Sequence, residues 1–495
     1  MTETPVRARF APSPTGHMHL GSARTALYNY LLARKTGGQF ILRIEDTDRK
    51  RFMPGTEQEL IDGLHWLGLH YDEGPDIGGL FGPYRQTERY EIYQEFARKL
   101  VNLDHAFPCF CTTERLDRVR AEQQTRKENP HYDGFCRSLA PDEAARRIAS
   151  GEKYVIRFRM PKEGSTTAND LLRGSITIEN RNLDDSVLMK SDGWPTYHLA
   201  AMVDDHLMKI SHVFRGSEWL GTFPLHVNII RAFGWEEPIW MHLSVFLKPT
   251  GKGKMSKRES AEAIKDGHSI FIKDLEGLGF IPEGLVNWAA LMGWGAGETE
   301  DVLSLDEMIE KFDITHLTPS PAAVNFTKLD YFNGEHIRRL THIDLAGRIK
   351  PYFLNAGYSV DDETLLKIIP IIRERLVTLD DCLPFAAWFF KEKVDVNPLE
   401  LVGKNLTAAQ SADVARKIYA ILDSLPDLSH AVSEAPMRHL IVDLGLSPNQ
   451  VFGILRVAVT GQTVSPPLFE SMEIVGKARV IERLQNAIGL LDKMI

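Results

Sequence analysis

The chain has 495 residues, 43% of them hydrophobic and 25% charged, with 58 Lys and Arg against 67 Asp and Glu for a net charge of −9. That is the make-up of a globular protein of about three domains, at roughly 100–200 residues each, and it excludes one that coats nucleic acid non-specifically while leaving room for a folded RNA held by local basic patches. No run approaches the roughly 18–20 apolar residues of a membrane span, the N-terminus lacks a signal core, and four cysteines cannot make a secreted disulfide framework, so a cytoplasmic protein without membrane contact is expected.

The first fifty residues read as one strand–loop–helix–strand unit. Val6–Ala11 is a short strand running into the turn-rich segment Pro12–Gly16. Ser22 is the expected N-cap of a helix over Ala23–Arg34, where Ala23, Ala26, Leu27, Tyr30 and Leu31 recur at helical spacing. Gly37-Gly38 ends it, and Phe40–Ile44 is mostly apolar, as a buried parallel strand is. Such a unit opens a doubly wound nucleotide-binding sheet, with ligands at the carboxyl ends of the strands. From about Val101 to Arg181, charged helices (Glu114–Lys127, Asp142–Gly151) precede strands at Tyr154–Met160 and Ser175–Glu179, which read as an insertion. Apolar strands return at Leu188 and Val213. Beyond Phe326 amphipathic helical stretches such as Ile369–Leu376 and Ala412–Leu422 take over.

Two segments carry chemistry. In the loop from Pro12 to Ser22, His19 and Gly21 sit where a helix start offers free N–H groups to a phosphate. The tripeptide alone also fits an incidental loop histidine, or a metal pair from His17 and His19. Further on, Lys254, Lys257 and Arg258 lie on a loop flanked by Gly251 and Gly253, suited to gripping a polyphosphate. On its own that loop fits a solvated basic surface equally well.

Together, His-x-Gly near the N-terminus and Lys-Met-Ser-Lys in the later chain resemble the paired signatures of class I aminoacyl-tRNA synthetases. The segments Arg9–Gly16 (RFAPSPTG), Ser22–Ala26 (SARTA), Leu42–Asp48 (LRIEDTD), Gly82–Arg89 (GPYRQTER), Asp192–Ala200 (DGWPTYHLA), Val203–Met208 (VDDHLM) and Phe214–Leu220 (FRGSEWL) resemble bacterial glutamyl-tRNA synthetases, in that family's order. The fold this implies is α/β: a doubly wound parallel sheet with an α/β insertion, followed by all-helical anticodon-binding domains. The expected layout is a catalytic first half over 1–100, an acceptor-end insertion over 101–182 and a catalytic second half over 183–245. A stem-contact region with the basic loop follows over 246–325, then a helical anticodon-binding region over 326–495 in two subdomains.

The resemblance implies activation of L-glutamate by ATP with Mg²⁺, then transfer to tRNA(Glu) and possible charging of tRNA(Gln) as well, by a monomer. Pro12, His19, Gly21, Ser22 and Lys257 would hold ATP, with His19, Gly21, Lys254 and Lys257 acting on the phosphates. Arg9, Ser13, Glu45, Tyr197 and Arg215 would hold glutamate: two cations for two carboxylates, and an anion for the ammonium. Asp204-Asp205-His206 is expected to stabilise the fold around that pocket, and Trp219 to line the ATP or acceptor-end pocket or to sit in the core. Arg51 and Arg375 are the candidates for tRNA contact. Cys109, Cys111 and Cys136 are the candidate zinc ligands, with Tyr132 or His131 to complete the four, but position 138 is Ser where some relatives have His, and a metal-free insertion is the favoured of the two outcomes. A metabolite adenylyltransferase shares the His-x-Gly loop but has no use for about 170 helical residues beyond Phe326.

Overall fold

β1 (Arg7–Phe10) and β2 (Gln39–Leu42) pair in parallel, Ala8 beside Phe40. Ala8, Phe10, Phe40, Ile41 and Leu42 are all buried, as strands covered on both faces require. Helix α1 (Leu20–Lys35) joins them, and its N-cap is His19 instead of the expected Ser22: the imidazole Nδ1 accepts the Ser22 N–H at 3.1 Å. A side chain from outside the helix thus satisfies one of its orphan donors. Gly37 follows with φ +64°, and a Cβ on Gly38 would lie 2.2 Å from the Val6 carbonyl oxygen. The glycine pair therefore stops the helix and lets the chain close against the start of β1. The structure, a computed structural model, describes residues 5–255, 263–297 and 301–495.

After α2 (Thr56–Trp66) and α3 (Tyr90–Asn102) the chain leaves the sheet for β3 (Ala106–Cys109), α4 (Thr113–Thr125), α5 (Pro141–Ala149) and β4 (Val155–Phe158). It returns as β5 (Ser165–Asp170) and β6 (Gly174–Glu179), leaves again for β7 (Val187–Met189), and finishes with α6 (Tyr197–Leu207), β8 (His212–Gly216), α7 (Phe223–Ala232) and β9 (Ile239–Leu243). The main sheet runs β2-β1-β8-β9-β5-β6 and is parallel except for β6; β3-β4-β7 form a separate antiparallel sheet. Two boundaries differ from expectation. The strand placed in the 101–182 insertion at Ser175–Glu179 is β6, hung through β5 on the edge of the main sheet, whereas Leu188, assigned to the second half 183–245, lies on the insertion's sheet. A strand's own pattern says which face is buried; it does not say which sheet supplies the neighbour.

The chain divides into two compact units, Met1–Leu275 with Leu285–Phe326, and Glu276–Gly284 with Thr327–Ile495. The expected 246–325 region is therefore not kept whole. In the first unit the core joins Tyr93, Leu199, Val203, Val213, Phe223 and Trp240 around the sheet. In the second, one apolar cluster runs from Ile337 to Leu491 and takes in Ile281, so the two expected subdomains share one core. Its helices start on good caps: Thr341 accepts from the Asp344 N–H, Asp361 from Thr364, and Thr407 forms a capping box with Gln410. No described helix is long and apolar enough to cross a membrane.

Candidate active site

Five neighbouring parallel strands bring their carboxyl ends together, where ligands bind in sheets of this kind. Arg9 lies near the end of β1, Glu45 just beyond β2, Arg215 near the end of β8, His242 near the end of β9, and Asp170 ends β5. All five are buried.

The arginines have different partners. Arg9 is bound edge-on by Asp205, Nε to Oδ1 at 3.1 Å and Nη2 to Oδ2 at 3.3 Å, and Nη1 donates to the Phe214 carbonyl. The bidentate edge expected to meet substrate is therefore occupied by Asp205. Arg43, fully buried, donates to Asp205 at 2.7 Å and to Glu45 Oε1 at 2.9 Å. Burial opposes its charge, yet Asp205, Glu45 and Asp204 hold it well above the usual arginine value. Burial pushes the Glu45 carboxyl up, against Arg43 and Arg9, while Arg9 and Arg43 overcome burial at Asp205 and hold its carboxyl low. Asp204 accepts from Gln86, Arg89 and Tyr93. Both aspartates of the Asp204-Asp205 pair thus pin the pocket wall.

Arg215 is unlike these. Its Nε donates to His242 Nε2 and its Nη1 to His226 Nδ1, each at 2.8 Å, and its ring neighbours are Trp240 and Phe223. No carboxylate among the described residues touches it, and its buried Nη2 has no partner among them. Burial lowers its pKa. Tyr197, at the start of α6, packs against Trp219 with ring centroids 4.2 Å apart and planes tilted by 32°, and meets the edge of His226. His198 stands inside the Asp192–Ala200 motif although its spacing gave it no role, and Asp170, His226 and His242, which no quoted motif contains, are joined to it by hydrogen bonds running through Arg215.

At the loop before α1, His19 is exposed above the helix start, and a Cβ on Gly21 would lie 3.1–3.2 Å from its ring. The lack of a side chain at Gly21 therefore protects the pose of His19. Ser13 is exposed in the turn, the Pro12 carbonyl accepts the Glu45 N–H, and Ser22 sits against His19. His17 pairs with Glu59 at 2.7 Å, which takes it away from a metal pair with His19. Lys254 is exposed, 4.0 Å from Glu218. Lys257 and Arg258 lie outside the described residues.

In the insertion, Cys109, Cys111 and Cys136 have their sulfurs within 4.8 Å of one another. The Tyr132 hydroxyl is 3.4 Å from Cys109 Sγ and 3.8 Å from Cys111 Sγ, and the sulfurs of Cys111 and Cys136 are 3.7 Å apart. A tetrahedral zinc with bonds of about 2.3 Å spaces its sulfurs at about 3.8 Å, so this donor set fits one. His131, the other candidate fourth ligand, turns its Nδ1 to the Asn129 carbonyl. The adjacent Cys136, and after it Tyr132, pull the Cys109 thiol far down against burial. Arg51 pairs with Asp48 at the surface, and Arg375 is exposed on a turn after the helix Asp362–Ile372.

The family model described as class I tRNA synthetases (E and Q), catalytic domain, matches residues 5–331, and an anticodon binding domain matches 344–488. The glutamate–tRNA ligase of Dehalococcoides mccartyi is 41% identical over 494 residues, 99% of this chain and 98% of that protein. The one from Roseiflexus sp. (strain RS-1) is 43% identical over 498 residues, 98% and 97% of the two chains. Among solved structures, the glutamate tRNA ligase of Elizabethkingia meningosepticum in complex with its amino acid matches with a TM-score of 0.89 at 35% identity, covering 98% of this chain and 99% of that one. Matches that run the length of both chains, with a catalytic-domain model over residues 5–331, lead to one conclusion: the chain belongs to the glutamate–tRNA ligase family of class I synthetases.

Proposed function

We propose that this chain joins L-glutamate to ATP and passes the glutamyl group to the 3′-terminal adenosine of tRNA(Glu). A carboxylate oxygen of glutamate attacks the α-phosphorus and the bond to pyrophosphate breaks, giving glutamyl-adenylate. A terminal ribose hydroxyl then attacks the carbonyl carbon and loses its proton, and AMP leaves. The observation that carries this is Arg215, a buried cation beside Tyr197 whose Nη2 is without a well-formed hydrogen bond among the described residues. An acidic side chain of the substrate supplies the missing counter-ion. Arg9 adds its outer N–H groups, Tyr197 closes the pocket, and Glu45 with Ser13 receives the ammonium while Arg43 holds Glu45 Oε1.

ATP, with its Mg²⁺, lies over the start of α1. His19, Gly21 and Ser22 face the phosphates there, Pro12 lines the loop, and Lys254 and Lys257 approach from the basic loop. Arg51 meets the acceptor end of the tRNA and Arg375 its anticodon. The enzyme works as a monomer in the cytoplasm. The insertion holds a structural zinc through Cys109, Cys111, Cys136 and Tyr132, a reading the sulfur spacing supports although the residue sequence, with Ser138 in place of a histidine, weighs against it. That ion would supply no chemistry to the reaction; it would tie the strand end at Cys109 to the loop before α5.

Attachment of radiolabelled glutamate to purified tRNA(Glu) and tRNA(Gln) transcripts tests this, with labelled glutamine as control. Charging of tRNA(Glu) alone means a discriminating enzyme, and charging of both a non-discriminating one. ATP consumption with neither tRNA charged would overturn the proposal in favour of a metabolite adenylyltransferase.

A further inference from the structure

Arg215 is held by a chain of side chains that spans the strand ends. A guanidinium can only donate hydrogen bonds, so both imidazole nitrogens facing it, His242 Nε2 and His226 Nδ1, are acceptors without a proton. Each neutral ring then carries its proton on the opposite nitrogen. His242 Nδ1–H donates to Asp170 Oδ2 at 2.7 Å, and His226 Nε2–H donates to His198 Nδ1 at 2.9 Å. The hydrogen bonds therefore run outward from Arg215 along two arms, one ending at Asp170 and the other at His198. Asp170 itself is locked: Oδ2 also accepts the His242 backbone N–H, and Oδ1 accepts the N–H groups of Leu172 and Arg173. His242 and Asp170 are fully buried.

A carboxylate in direct contact would occupy the guanidinium fork, as Asp205 does at Arg9. The imidazole spacer orients Arg215 through one N–H while its counter-charge stays a ring away. We propose that Asp170 and His242 are positioning residues for glutamate recognition: the carboxylate sets the His242 tautomer, and that tautomer aims the free Nη2 of Arg215 at the substrate's carboxylate. This rests on Arg215 binding glutamate, as proposed above. Neither residue meets the reacting atoms.

The test is aminoacylation kinetics on purified full-length variants, with KM measured separately for glutamate, ATP and tRNA, and melting temperature alongside. Asp170→Asn presents an amide N–H to Nδ1, which moves the ring proton to Nε2 against the Arg215 donor; Oδ1 is kept in place by its two backbone N–H bonds. The expected result is a rise in the glutamate KM of about 10- to 100-fold, with the KM for ATP and tRNA within about twofold of the parent. His242→Met, of similar size but with no donor–acceptor pair, should do the same. His242→Gln, which can accept from Arg215 and donate to Asp170, should recover most of the loss. Arg215→Lys separates the two proposals. If it raises the glutamate KM while the Asp170 and His242 variants do not, the positioning role fails and Arg215 stands; if it leaves that KM unchanged, the role of Arg215 fails and this inference with it. A general rise in all three KM values with a lowered melting temperature, or no recovery in His242→Gln, would mean a packing role only.

Discussion

Arg9 and Arg215 both give up water on folding, but Arg9 meets a carboxylate and Arg215 meets two imidazoles. Glutamine in the pocket would leave Arg215 facing a neutral amide, and an unpaired buried charge costs about 3–5 kcal/mol, two to four orders of magnitude in affinity. His226 and His242 must stay neutral to accept from it, and His198 to accept from His226, and the surroundings keep them so: burial first, then Arg215, push His198 down to about 4 and His226 well below the usual histidine value, and burial outweighs Asp170 at His242. The unfolded chain takes up its histidine protons near pH 6.5, so it binds more protons than the folded one between about pH 6.5 and 4. Stability is full above that window and falls as the pH drops through it, by roughly 3 kcal/mol for His198. Urea midpoints at pH 7, 5.5 and 4.5 should therefore decline, and less steeply in His198→Gln; the same slope in both proteins would refute this. Arg9, Glu45 and Arg215 were legible because they stand inside motifs. Asp170, His226 and His242 were not, since they come from β5, α7 and β9 and only the sheet order brings them together.

Among the elements, α1 shows what a sequence pattern reaches. Its apolar spacing located the helix, but the cap moved from Ser22 to His19 because an imidazole nitrogen can accept the same N–H that a serine oxygen would. That bond also sets the ring over Gly21, where an added Cβ would press on it at 3.1 Å. Gly21→Ala is expected to raise the KM for ATP about tenfold through displaced phosphate contacts and to leave the KM for glutamate unchanged; steady-state kinetics with unaltered ATP dependence would remove His19 from the nucleotide site. β5 and β6 fall inside the 101–182 stretch expected as an insertion yet join the main sheet, because nothing in a hairpin's alternation names the sheet it joins. Its cysteines were visible and their convergence was not, being a matter of how β3 and the loop before α5 cross. Protein purified without chelator should contain about one zinc per chain by atomic absorption, and Cys111→Ser much less, with a lowered melting temperature. Equal, near-zero metal in both would leave the sulfurs as a packed thiol cluster.

At the scale of the whole chain, the glutamate and ATP candidates all fall in the first compact unit and Arg375 in the second. Arg375→Ala is thus expected to raise the KM for tRNA about tenfold, the worth of one base contact, with glutamate and ATP unaffected; a change in the glutamate KM instead would put Arg375 outside anticodon recognition. The helical character beyond Phe326 was plain from periodicity, whereas the inclusion of Glu276–Gly284 in that unit was hidden, since it depends on Ile281 entering a distant core. The strand order also bears on how the protein is made. β1 gains its second neighbour only when His212 reaches Ala8, and Arg9 meets Asp205 across 196 residues of chain. At 5–20 residues per second of synthesis, that is a delay of roughly 10–40 s. During it the newborn N-terminal half holds a strand with an open edge whose Arg9 still lacks its carboxylate, an exposure during translation that pairing with β8 later removes.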